Sequence, residues 1–143
     1  MTGAQLTLQL RMRQTYWAWT QVPVRFGDQD VLGHVNNVAI ASYFEHARCV
    51  KLIPILQLQI PRLSTVLARI VIEYVQEIHF PDVVDVGIRI SRFGTKSFVI
   101  AGGIFSGGTC CATAEATMVF FDPIARRSAT PSAAMLYKLH ELG

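Results

Sequence analysis

The sequence predicts an α+β domain in which one long helix lies across one face of an antiparallel sheet. Three observations predict it. A segment with helical apolar spacing over 34–53 is followed by four strand-like segments. The links between those segments are short, so the strands pair antiparallel. One strand carries a row of alanines, which lets a helix lie close against it. The chain has 143 residues, 51% of them hydrophobic, which suffices for one core and is too short for two. Residues 1–143 are therefore read as a single domain.

Each element follows in order. An opening strand is expected over 16–27, with Trp17, Trp19 and Phe26 supplying bulk. In the helix over 34–53, Asn36, Ile40, Tyr43, Ala47 and Val50 fall on one face, while Glu45 and Arg48 fall off it, toward solvent or a partner. Pro54 is expected to stop this helix. A loop follows over 55–65. In the strand over 66–78, Ala68, Ile70, Ile72 and Tyr74 alternate with Arg69, Val71, Glu73, Val75 and Glu77. A turn at His79-Phe80-Pro81-Asp82 leads to a strand over 83–93, where Val84, Val86, Ile88 and Ile90 share one side. The next strand covers 96–105, and Ser106-Gly107-Gly108-Thr109 is a hairpin turn. The last covers 110–121 and turns Ala112, Ala114 and Ala116 one way, Thr113, Glu115 and Thr117 the other. A short amphipathic helix over 131–142 closes the chain. The second sheet face is also fairly apolar, which points to burial against a second subunit.

Composition excludes several classes. Charged residues make up 16% of the chain, too few for a disordered segment of this apolar content. The net charge is +3, but the cations are scattered and only Arg126 and Arg127 adjoin, so a nucleic-acid-binding stripe is absent. Cys49, Cys110 and Cys111 form no CxxC pair, which fits reduced thiols in a cytoplasmic protein. The N-terminal stretch lacks the layout of a signal peptide. The charge-free run over 97–114 is broken by Gly102, Gly103, Gly107 and Gly108, so it reads as two buried strands and not as a membrane span.

Chemistry concentrates in Val24-Arg-Phe-Gly-Asp28-Gln-Asp30-Val-Leu-Gly33-His34-Val-Asn36-Asn37, between the opening strand and the long helix. Read as a calcium loop from Asp28, it places Leu32 and Ala39 where oxygen ligands are required, so that reading fails. A metal held by Asp30, His34 and His46 has no spacing that enforces convergence. Capping of the helix is an ordinary role for Asn36 or Asn37, but it accounts poorly for two upstream aspartates. The electrostatic reading accounts for more. A helix N-terminus presents free N–H groups that polarise a carbonyl and stabilise an oxyanion. A neighbouring carboxylate attacks that carbonyl or activates water. Such a pair suffices for an activated acyl group, and G-x-S-x-G is absent from the chain.

These residues carry a family likeness. Phe26-Gly-Asp-Gln-Asp30-Val-Leu-Gly33-His34-Val-Asn-Asn37, followed by Tyr43-Phe-Glu45-His-Ala-Arg48, resembles the hotdog-fold thioesterases of the 4-hydroxybenzoyl-CoA thioesterase type, over about residues 20–131. The resemblance implies a long central helix wrapped by a curved antiparallel sheet. It implies a homodimer or homotetramer with its site at a subunit interface, and hydrolysis of an acyl-CoA thioester without metal or cofactor, CoA being part of the substrate. Asp30 matches the family's catalytic carboxylate, and the amide at Asn37 matches the group that polarises the thioester carbonyl. Gly33 and His34 match the turn. Glu45 matches a helix position that a related branch uses as its carboxylate; its other reading is an ion pair with Arg48. Ile40 stands where many relatives have tyrosine, which favours an apolar acyl group. Lys96-Ser97-Phe98 resembles the segment that contacts the nucleotide, so Arg92, Lys96 and Ser97 are candidates for binding CoA, with Arg126 and Arg127 weaker. An acyl-carrier protein as substrate, or acyl-CoA binding without turnover, stands as the alternative.

Overall fold

The computed structural model describes residues 2–59 and 61–143; Met1, at the head of the N-terminal stretch, and Ile60, in the loop expected over 55–65, lie outside the described residues. The frame is a six-stranded sheet, antiparallel at every pairing. Its strands are β1 (Ala18–Pro23), β2 (Ser64–Tyr74), β3 (Val83–Phe93), β4 (Ser97–Ser106), β5 (Thr109–Asp122) and the short β6 (Arg127–Ser128). The order is β1-β3-β4-β5-β2, with β6 on β5. Three helices join it: α1 (Gly3–Leu10), α2 (Asn37–Leu56) and α3 (Ala133–His140). β1 and β2 take opposite edges, and the chain between them is α2, so α2 crosses the face that the curled sheet wraps. This is the hotdog fold.

The helix side is built as the alternation demands. Val84, Val86, Ile88 and Ile90 of β3 are buried, as are Ala112, Ala114 and Ala116 of β5. The small side chains let the bulk come from α2. Phe44 packs so close that a Cβ on Gly102 would sit 3.0 Å from its ring.

Four features of α2 differ from expectation. It starts at Asn37 and not at residue 34, because Asn36 caps it with extended backbone. It runs on to Leu56, through Pro54. Pro54 removes one hydrogen bond, to the carbonyl of Val50, and Val50 is exposed enough for water to take its place. Val50 is therefore not on the buried face. Arg48, expected toward solvent or a partner, is only 5% exposed, because Phe44, Ala47 and Leu52 beside it widen the buried stripe.

The strands shift at their ends. β1 is shorter than the segment over 16–27, since single 3₁₀ turns at Arg13–Thr15 and Phe26–Asp28 flank it. β2 begins earlier and ends at Tyr74, and a register shift between Leu67 and Arg69 breaks its alternation. Residues 75–78 leave the sheet and form a wall described below.

The second sheet face is covered in part by the chain itself. Leu10 of α1 and Tyr16 pack with Ala101 and Phe105, and Trp19 joins them. The Tyr16 hydroxyl donates to the Leu10 carbonyl at 2.6 Å, and Arg13 stacks over Trp19 at 4.2 Å. Gly103 admits Tyr16: a Cβ there would meet the ring at 2.7 Å. An N-terminal helix thus accounts for part of the apolar character of that face. Among the described residues, no helix is long and apolar enough to cross a membrane.

Candidate active site

The segment between β1 and α2 folds back on itself before the helix starts. The N–H of Asp30 donates to His34 O at 2.9 Å, and the N–H of Gly33 donates to Asp30 O at 3.1 Å. Gly33 adopts φ +84°, which side-chain-bearing residues rarely accept, and this is why glycine stands there. Val35 then docks the loop: its N–H donates to Ile78 O at 2.8 Å. Asn36 is the cap of α2, its Oδ1 accepting the Ala39 N–H at 2.8 Å. Asn37 begins the helix with its side chain exposed. The N–H groups of Asn37 and Val38 have no acceptor among the described residues.

Asp28 and Asp30 have opposite surroundings. Asp28 is buried, and its Oδ2 accepts the Tyr43 hydroxyl at 2.5 Å and the Arg25 N–H at 2.9 Å, while Oδ1 pairs with Arg25 Nη2 at 2.9 Å. Burial alone would raise its pKa; the hydrogen bonds from Tyr43 and Arg25 outweigh that and hold the carboxyl below its ordinary value. Asp28 is fully engaged in holding β1 to α2. Asp30 is partly exposed, and its side chain accepts one backbone bond, from Leu32 N–H to Oδ1 at 2.8 Å. Its Oδ2 faces His34 Nδ1 at 3.7 Å.

A cleft of about 360 Å³ opens beside Asp30. Asp30, His34, Val35, Asn37 and Ile40 line one wall, and the stretch from Tyr74 to Ile78 lines the other. Asp30, His34 and Asn37, singled out from the sequence, are therefore brought together, with Gly33 supplying the bend. Glu77 belongs to the cleft as well. Sequence reasoning placed it only in a strand and His79 only in a turn; that Glu77 meets His34, and His79 the Gly33 carbonyl, depends on how 75–78 docks against the loop, which has no local signal.

Other candidates lie elsewhere in the chain. Glu45 is exposed on α2 and borders a separate groove of about 260 Å³ with Arg48, Leu52, Leu56 and Leu67. No ion pair joins Glu45 to Arg48 among the described residues. Burial lowers the Arg48 pKa, and Glu45 opposes that shift. His46 is exposed and does not line the Asp30 cleft. Arg92 and Lys96 are exposed and Ser97 half-buried, around the β3–β4 turn. The register aligns Tyr74 with Ala112 and Ser97 with Val119, so that turn lies seven residues along β5 from the cleft, roughly 24 Å away. Arg126 and Arg127 sit near the β5–β6 turn, where Asp122 accepts the N–H groups of Ile124 and Ala125. No three metal-ligating side chains converge among the described residues.

The cleft combines a carboxylate with free, aligned N–H donors at a helix N-terminus. Such a pairing can generate a nucleophile beside a positive potential able to stabilise an oxyanion.

Residues 24–139 match the model of the thioesterase-like superfamily. A thioesterase from Thermus thermophilus, solved in complex with coenzyme A and Zn, is 29% identical, covering 87% of this chain and 98% of its own, with a TM-score of 0.77. A predicted thioesterase from Bacillus stearothermophilus is 26% identical, covering 87% and 94%, with a TM-score of 0.80. A 1,4-dihydroxy-2-naphthoyl-CoA thioesterase from Synechocystis, at 18% identity, covers 87% and 96% with a TM-score of 0.75 and shares the fold. No curated protein sequence matches. With the match spanning the Asp30 loop, the central helix and strands β2 to β6, the chain belongs to the thioesterase-like superfamily.

Proposed function

We propose that this protein hydrolyses acyl-CoA thioesters to a free acid and CoA. Asp30 attacks the thioester carbonyl or draws a proton from the attacking water, and the Asn37 N–H at the tip of α2 polarises the carbonyl oxygen. One observation carries the reading: Asp30 and Asn37 line the same cleft, while Asp28 is committed to Tyr43 and Arg25. The coenzyme A bound to the Thermus neighbour supports CoA as the carrier. Ile40 on the cleft wall suits an aliphatic acyl chain.

The assembly is a homo-oligomer whose second copy completes the site. β2 is an edge strand with Val66, Leu67, Val71 and Tyr74 exposed along it. Pairing of two β2 edges antiparallel would bring the partner's far sheet end alongside the cleft. That is the end at which Arg92, Lys96 and the Glu45 groove lie, and it supplies the cations that CoA phosphates require. Free thiols at Cys49, Cys110 and Cys111 suit a reducing, cytoplasmic setting.

The test is thiol release over a ladder of acyl-CoA lengths, with acyl-carrier protein in parallel. Asp30→Asn is expected to fold normally, bind CoA and lose roughly 10²–10⁴-fold in turnover. Wild-type turnover in Asp30→Asn would remove the assignment.

A further inference from the structure

We infer that Glu77, together with His79, is a positioning residue for Asp30 and acts through His34. This rests on the thioesterase reading of the cleft. Four side chains from two segments form a row. Asp30 Oδ2 is 3.7 Å from His34 Nδ1, His34 Nε2 is 4.0 Å from Glu77 Oε1, and Glu77 Oε2 is 3.2 Å from His79 Nε2. Asp30 and His34 come from the loop before α2, Glu77 from the wall after β2, and His79 from just beyond that wall.

The chemistry of the two rings makes Glu77 the shared member. His34 Nδ1 also lies 3.3 Å from the Val35 carbonyl, and His79 Nδ1 lies 3.3 Å from the Gly33 carbonyl. Every group named as facing either ring is an oxygen acceptor, so each ring nitrogen is placed to donate. Among the described residues, Glu77 is the one carboxylate that faces both rings. Without it, among the described residues, His34 keeps only Asp30 and His79 keeps no carboxylate.

The row also has a mechanical role. Its two segments form opposite walls of the cleft, tied by the backbone bond from Val35 N–H to Ile78 O at 2.8 Å. His79 reaches back to the Gly33 carbonyl, on the turn that carries Asp30. Glu77 links that histidine to His34, so the clasp sets where the Asp30 carboxylate stands relative to the α2 tip. The row is extended and not convergent, which is why it makes no metal-ligand group among the described residues.

The titratable groups concerned are Asp30 and Glu77 facing His34, Glu77 facing His79, and Tyr74 on the same wall. The experiment uses the full chain with Glu77→Gln, Glu77→Asp and His79→Gln. Imidazole ring resonances are followed by NMR, and kcat and KM are measured. Glu77→Gln is expected to perturb the His34 and His79 ring resonances, to lower kcat roughly 10-fold and to leave KM unchanged, with Glu77→Asp restoring part of the loss. If wild type turns over, and Glu77→Gln leaves kcat and the ring resonances unmoved, this inference alone is overturned. A kcat loss with a matching rise in KM, or one that Glu77→Asp does not relieve, assigns Glu77 a purely structural role and also overturns it. If wild type releases no thiol from any acyl-CoA, the reading of the cleft falls and this role with it.

Discussion

Two aspartates only two positions apart should fail in opposite ways. Asp28→Asn replaces a buried carboxylate oxygen with an amide group that donates. The side chain then presents one acceptor to the Tyr43 hydroxyl and the Arg25 N–H, where the carboxylate Oδ2 accepts both. The Arg25 guanidinium is largely exposed, so its ion pair adds little beside the buried hydroxyl. A hydrogen bond to a charged group contributes about 1.5–3 kcal/mol, and mismatched donors add to the loss, so the variant should lose about 2–3 kcal/mol. For a chain of this size that is a fall in Tm of roughly 6–12 °C. The loss also has a pH signature. Because the folded-state pKa of Asp28 lies below its unfolded value, its contribution is complete above about pH 4 and fades as pH falls through the folded value. The gap between wild type and Asp28→Asn should therefore be full at neutral pH and shrink in acid. Denaturation followed by circular dichroism from neutral pH down to about pH 3 reads both effects. Asp30→Asn, in parallel, should unfold like wild type and lose turnover. A stable Asp28→Asn with abolished thiol release would show that the two roles are assigned the wrong way round.

Further expectations follow from single contacts. Asn37→Pro removes the N–H that polarises the carbonyl at the first helical position, where proline is accepted, and Asn36 already has the extended backbone that precedes proline. Thiol release should fall roughly 10²–10³-fold in Asn37→Pro and stay near wild type in Asn37→Ala, which keeps the N–H; equal activities would remove the amide from the mechanism. Asn36→Ala deletes the cap of α2 and should cost about 1 kcal/mol in urea denaturation; an unchanged midpoint would mean that another group takes its place. Gly103→Ala forces a Cβ to within 2.7 Å of the Tyr16 ring, so α1 should lift from the sheet and become sensitive to limited proteolysis. Protection equal to wild type would show that the ring moves aside without releasing α1.

The parts of the molecule legible in the sequence are those set by local periodicity or by a contiguous segment. Val84 to Ile90 alternate because β3 has one core face, and the strand has the bounds that this pattern predicts. The Asp30 loop is legible because its bend, its carboxylate and the helix tip are consecutive in the chain. What sequence missed is decided across the sheet. Leu6, Leu8 and Leu10 recur with a strand-like period, yet Thr2 and Gln5 form a capping box and the segment is helical, with only Leu10 buried. Arg48 looked solvent-facing on a helical wheel, but a helix wrapped by a curled sheet is covered over more than one stripe. Glu77 and His79 carry no motif; they reach the site because β2 ends at Tyr74 and the next residues swing toward the loop, where Val35 holds Ile78. Half of the cleft is thus written in one segment and half in the docking of another. The variants at Asn37 and Glu77 probe the two halves separately, one by removing a donor whose place is set by the helix, the other by removing a charge whose place is set only by tertiary contact.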